Sequence, residues 1–144
     1  MERRDAMKAM GVAAMIPIPM MAGQAAQAQD AVTDETVYEL RIYHLNEGKQ
    51  AAILERFRSR ETAIFARCGM HGVAYWVPTD EPLAGRTITY LMRHTSRAAA
   101  TESWAKFSAD PEWIALKAET EKDGTFVKLH DVTFLKLTDF SPKV

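Results

Sequence analysis

Residues 37–44 read Val-Tyr-Glu-Leu-Arg-Ile-Tyr-His, and a strand's period of two sorts them into two sets. Tyr38, Leu40 and Ile42 share one face, while Glu39, Arg41 and Tyr43 share the other. One face is greasy and the other carries a carboxylate, a guanidinium and a phenol in a row. Such a strand belongs to a sheet packed against helices on one side only. The apolar set is expected under the helices, and the charged set is expected on the second face, either solvated or lining a polar cavity.

The first residues do not fit that domain. Arg3-Arg4-Asp5-Ala6-Met7-Lys8 is a basic start, Ala9 to Ala22 is apolar apart from Pro17 and Pro19, and Ala26-Gln27-Ala28 has the small-x-small pattern of a cleavage site. Residues 1–28 therefore read as a cleavable export signal. Paired arginines before a short spacer and a lysine resemble the twin-arginine type, an address and not an anchor. The run is short for a membrane span and broken by two prolines, so no membrane anchor is expected after cleavage. The mature protein is expected in the periplasm or secreted.

Residues 29–144 suit one domain with one core. The full chain carries a formal charge of −1, and loss of Arg3, Arg4 and Lys8 with Glu2 and Asp5 leaves the mature protein more negative by a single charge. No basic block or Lys/Arg-rich helix face is present, which argues against nucleic acid. Cys68 is the sole cysteine, so no internal disulfide can form, and a buried small hydrophobe is its expected role.

The remaining pattern is strand, helix, strand, strand, helix, strand. After Asn46-Glu47-Gly48, the apolar positions Ile53, Leu54, Phe57, Ile64, Phe65 and Cys68 form a helical stripe ended by Gly69. Glu61 falls in that stripe and is expected near its edge, paired with Arg58 or Arg60. His71–Val77 and Arg86–His94 read as strands about a turn-rich loop, Pro78 to Gly85. In the third strand Thr87, Thr89, Leu91 and Arg93 are expected to share a side with Glu39 and Arg41. Ser96 can cap a helix through Phe107, Asp110-Pro111 starts a second through about Lys122, and Phe126–Leu137 is long enough for the last strand.

The expected fold is α+β, a ferredoxin-like βαββαβ unit with a four-stranded antiparallel sheet and helices on one face. A mixed second face is best covered by a second copy, giving a homodimeric α+β barrel with a cavity for a small ligand between the sheets. The candidate site follows from that geometry. Glu39 is a candidate proton shuttle, Arg41 and Arg93 are candidate anchors for an enolate or carboxylate, and Tyr43 is a hydrogen-bond donor. Trp76 is a stacking surface if Val73, Tyr75 and Val77 lie under the helices. The competing reading makes Glu39 and Arg41 an ion pair that specifies the dimer. Trp104, Phe107 and Trp113 have the spacing of helix-packing residues. His44, His71, His94 and His130 are scattered over strand ends, so no metal and no cofactor are expected.

Tyr38-Glu39-Leu40-Arg41-x-Tyr43, Gly48-Lys49, Gly69-Met70, Trp76, Trp104-x-x-Phe107, Asp110-Pro111-x-Trp113 and Thr138-Asp139-Phe140-Ser141-Pro142 together resemble the NIPSNAP family in order and spacing. The resemblance covers nearly all of the mature chain and implies a ferredoxin-like dimeric α+β barrel. It brings no reaction with it. Eukaryotic members are mitochondrial, and the export signal and single domain here set this chain apart from them. By fold analogy the more distant barrels include cofactor-independent monooxygenases and isomerases of small ring compounds. Two functions therefore stand: a barrel for a small aromatic or anionic molecule, and a non-catalytic dimeric module for protein interaction.

Overall fold

The computed structural model describes residues 32–144; the expected export signal lies outside them. Strand β1 (Val37–Leu45) leads into a helix of three segments, α1 (Gln50–Arg56), a π-helical turn (Phe57–Glu61) and α2 (Thr62–Arg67). Strands β2 (His71–Trp76) and β3 (Thr87–His94) follow, then α3 (Arg97–Ala109), α4 (Pro111–Thr120) and β4 (Val127–Leu135). The sheet order is β2-β3-β1-β4 with every neighbouring pair antiparallel. This is the ferredoxin-like α+β topology anticipated from the strand and helix order.

Local chemistry explains the element boundaries. Ser96 Oγ accepts the Ala99 N–H at 3.0 Å and starts α3. Asp110 accepts from the amides of Glu112 and Trp113, with Pro111 pre-set at the first position of α4. Arg67 grips the same carboxylate at 2.7 and 3.0 Å, tying the end of α2 to the start of α4. Gly69 follows α2 at φ +89°, a left-handed conformation that favours glycine. A side chain there would also press on Ser103 Oγ.

Register decides which face is which. Glu39, Arg41 and Tyr43 pair across β1–β3 with Met92, Tyr90 and Ile88, all buried. Tyr90 packs against Phe57 and Phe65 from the helical layer, and Phe65 against Phe107. The charged set therefore lies under the helices, the reverse of the expected arrangement. Tyr38, Leu40, Ile42 and His44 lie on the open face instead, beside Arg93, Leu91, Thr89 and Thr87 of β3. The expectation that this β3 set would share a side with Glu39 and Arg41 is corrected in the same way. Cys68 is buried, as expected.

The open face is mixed, with His44 and Asp131 in contact at 2.9 Å and several large apolar side chains exposed beside them. Leu135, Thr133 and Leu129 from β4 pair with Tyr38, Leu40 and His44, and Trp76 stands opposite Thr89. Trp76 is 51% exposed and Leu129 59%. At one end Tyr38 is covered by the C-terminal segment, its hydroxyl donating to the Val144 carbonyl at 2.7 Å. Arg93 reaches the same carbonyl at 3.4 Å.

Candidate functional site

Glu39 is the hub of a closed network. Its Oε1 accepts from Arg41 Nε at 2.7 Å, and its Oε2 accepts from His94 Nε2 at 2.8 Å and Trp104 Nε1 at 2.6 Å. A carboxylate only accepts, so His94 donates from Nε2, and its Nδ1 is buried and unpartnered among the described residues. Arg41 also stacks on Trp104, its guanidinium carbon 3.6 Å from the ring centroid. Burial pushes the Glu39 carboxyl up, but hydrogen bonds from His94 and Trp104 and the charge of Arg41 outweigh it, leaving the group below its ordinary value. Glu39 is thus a saturated anion at neutral pH, poorly suited to shuttle a proton.

Tyr43 extends this row towards a cavity. Its hydroxyl lies 2.6 Å from that of Tyr90 and 3.5 Å from Arg41 Nη1. Burial raises its pKa despite the neighbouring guanidinium, so it remains a neutral phenol. Tyr43 lines a partly open cavity of about 210 Å³ between β4 and the helical layer, together with Arg56, Glu61, Trp113, Lys117 and His130. Phe107 and Trp113, with ring centroids 4.4 Å apart, give it an aromatic wall.

The second carboxylate of interest is in this cavity. Glu61 is buried, not near the stripe edge, and pairs with Arg56, not with Arg58 or Arg60. On a regular α-helix, residues five apart point about 140° away from each other. The π-helical turn from Phe57 to Glu61 widens the spiral so that Arg56 Nε meets Glu61 Oε2 at 2.8 Å. Arg56 also donates to Glu121 at 2.8 Å. Burial drives the Glu61 carboxyl up to about 7 against the pull of Arg56; Glu121 pushes the same way and Lys117 opposes it.

The structure thus brings Glu39, Arg41 and Tyr43 together but separates them from Trp76 and Arg93, which lie on the opposite face of the sheet. Tyr75 stacks on Tyr90 under the helices, which leaves Trp76 facing outward, as the alternation required. Sequence reasoning does not assign Arg56, Lys117, Glu121 and His130 to a site. The one signal available is Glu61, an acid inside an apolar stripe. Trp113 and Phe107 pack as expected and also line the cavity. Among the described residues, no cluster of three or more His, Cys, Asp or Glu side chains is arranged to hold a metal.

Residues 38–142 match the NIPSNAP family model. No match is found among curated proteins. Among solved structures the chain is similar to a NIPSNAP-like domain protein from Burkholderia xenovorans, with 19% identity, a TM-score of 0.67, and coverage of 78% of this chain and 93% of that one. It is also similar to a NIPSNAP family protein from Agrobacterium tumefaciens, with 25% identity, a TM-score of 0.64, and coverage of 74% and 97%. SnoaB, a cofactor-independent oxygenase from Streptomyces nogalater, shares the fold at 14% identity and a TM-score of 0.50, with coverage of 76% and 99%.

Proposed function

The chain belongs to the NIPSNAP family, and from that premise we propose that it is an exported, homodimeric barrel protein that binds a small, partly aromatic molecule. The binding site is the cavity beneath the helices and not the space between two sheets. One observation carries this reading: Tyr43, Arg56, Glu61 and Lys117 converge on a partly open cavity of about 210 Å³ walled by Trp113 and Phe107. Apolar walls with a few converging polar groups are the usual make-up of a small-molecule site.

The dimer is supported by the opposite face. Trp76, Leu129 and Leu135 are too exposed for a sheet face that ends in water, and a second copy packed face to face would bury them. Trp76 and Arg93 would then face the partner's sheet. The basic, apolar and small-residue order of residues 1–28 supports export. The exposed apolar face also favours a second reading, a non-catalytic module that binds another protein through it.

Native mass spectrometry on the mature protein, purified without denaturation from the exported fraction of its host, tests these together. The expected result is a dimer carrying a discrete small mass, lost in Thr125→Trp, which blocks the cavity wall that Thr125 helps form. Retention of the mass in that variant places the ligand elsewhere. A monomer removes the barrel, and an empty dimer that captures a protein through the Trp76 face favours the interaction module.

A further inference from the structure

We propose that this cavity catalyses proton transfer on a neutral, enolisable cyclic ketone, with Glu61 as the base and the Tyr43 hydroxyl as the donor to the enolate oxygen. The inference rests on the cavity being the ligand site.

The direction of one hydrogen bond fixes the role of Tyr43. Tyr90 is fully buried, and the partner of its hydroxyl is Tyr43 at 2.6 Å. Were Tyr43 to donate, the Tyr90 proton would be left buried without an acceptor, a costly arrangement. Tyr90 therefore donates, Arg41 Nη1 approaches the same oxygen at 3.5 Å, and the Tyr43 proton is left for an acceptor in the cavity that Tyr43 lines. Glu39 and Arg41 act as positioning residues here: the carboxylate holds the guanidinium, and the guanidinium sits behind the phenol oxygen.

Glu61 offers the complementary function. Arg56 Nε occupies Oε2, which leaves Oε1 for the cavity. The charged and titratable groups around Glu61 are Arg56, Lys117, Glu121, Tyr43 and His130 on the cavity wall, with Tyr90 and Tyr75 behind. A carboxyl that titrates near 7 in this setting is well matched to abstract and return a proton at neutral pH. The formal charges of Arg56, Lys117, Glu61 and Glu121 cancel, so the site has little attraction for a permanent anion. It favours a neutral molecule whose charge appears only during reaction, and the Trp113 and Phe107 rings favour a planar one.

The step balances without a co-reactant. The C–H bond next to the carbonyl breaks, its proton passes to Glu61 Oε1, and the electron pair moves through the new C=C bond onto oxygen, where Tyr43 donates to it. Return of that proton to the same carbon restores the ketone, with exchange when the Glu61 carboxyl has first traded its proton for one from solvent; return to the far end of a conjugated enolate gives an isomer.

The test uses the full mature protein with α-tetralone as the carbon acid and 2-naphthol, a stable enol mimic, as a fluorescent probe of occupancy. In D2O, wild type should speed deuterium incorporation beside the α-tetralone carbonyl above the buffer rate, increasingly as pH rises through about 7. Glu61→Gln should lower that acceleration by about 100-fold or more while 2-naphthol still binds, and Glu61→Asp should restore part of it. Tyr43→Phe should lower it by about tenfold or more and weaken 2-naphthol binding. Wild type that binds 2-naphthol yet exchanges α-tetralone at the buffer rate overturns the proton-transfer inference and leaves the binding reading intact. Equal exchange in wild type and Glu61→Gln overturns the role of Glu61. Neither binding nor exchange removes the ligand site itself.

Discussion

Glu39 and Glu61 are both buried glutamates with an arginine attached, and they behave in opposite ways. Glu39 collects donors from three elements and is held as an anion below its ordinary pKa. Glu61 has one arginine that it shares with Glu121, and burial prevails, raising it to about 7. Burial alone therefore does not set a carboxylate's task; the number of donors it retains does. A fully served carboxylate is architecture, and an underserved one beside a cavity is chemistry in waiting.

The largest effect is expected where the donors are most numerous. Glu39→Ala leaves Arg41, His94 and Trp104 facing a gap, and chemical denaturation should show a loss of about 3–5 kcal/mol. Acid should act on the wild type in the same direction. Glu39, with its pKa lowered on folding, contributes stability above its ordinary value of 4.5, and that contribution disappears as pH falls through the lower folded value.

Glu61 reverses the sign. Its folded pKa lies above 4.5, so its ionisation costs stability increasingly from pH 4.5 to about 7 and fully above that. Across this window, the stability of Glu61→Gln should improve relative to wild type by on the order of 3 kcal/mol, read from paired denaturation curves at each pH. A flat difference would mean that Arg56 fully compensates the charge, and the contrast with Glu39 would collapse.

The smallest effect is expected at the helix surface. Arg58 pairs with Glu55 at 2.6 Å, but both side chains are about two-thirds exposed or more. Arg58→Ala should change stability by less than about 1 kcal/mol and leave the pH profile unaltered. A larger change would show that charge pairing on this helix matters irrespective of burial.

The same contrast explains what the sequence could disclose. Strand periodicity, the Ser96 and Asp110-Pro111 starts and the Gly69 stop are local signals, and the elements follow them closely. The sheet face is not legible in this way, because Glu39, Arg41 and Tyr43 look like a solvated or cavity-lining row until their partners are known. Those partners, His94, Trp104 and Tyr90, are 55, 65 and 47 residues away along the chain. Glu61 misleads for a different reason. Its true partner is five residues away, a spacing that only the π-helical turn brings together, so the nearer Arg58 and Arg60 look like the partners of an acid at the helix edge. Trp76 is legible only relative to Tyr75: alternation sets the two on opposite faces, and the stacking of Tyr75 on Tyr90 decides which face each takes.

β1 occupies the middle of the sheet, paired on both sides, and its Glu-Arg-Tyr row matches a single alignment with its neighbours. Sliding β1 by one residue would turn the carboxylate and guanidinium out among Leu91, Trp76 and Leu129, where neither His94 nor Trp104 could follow. The row thus proofreads assembly: a nascent sheet that zips up one step out of place has stranded charges and no reason to persist.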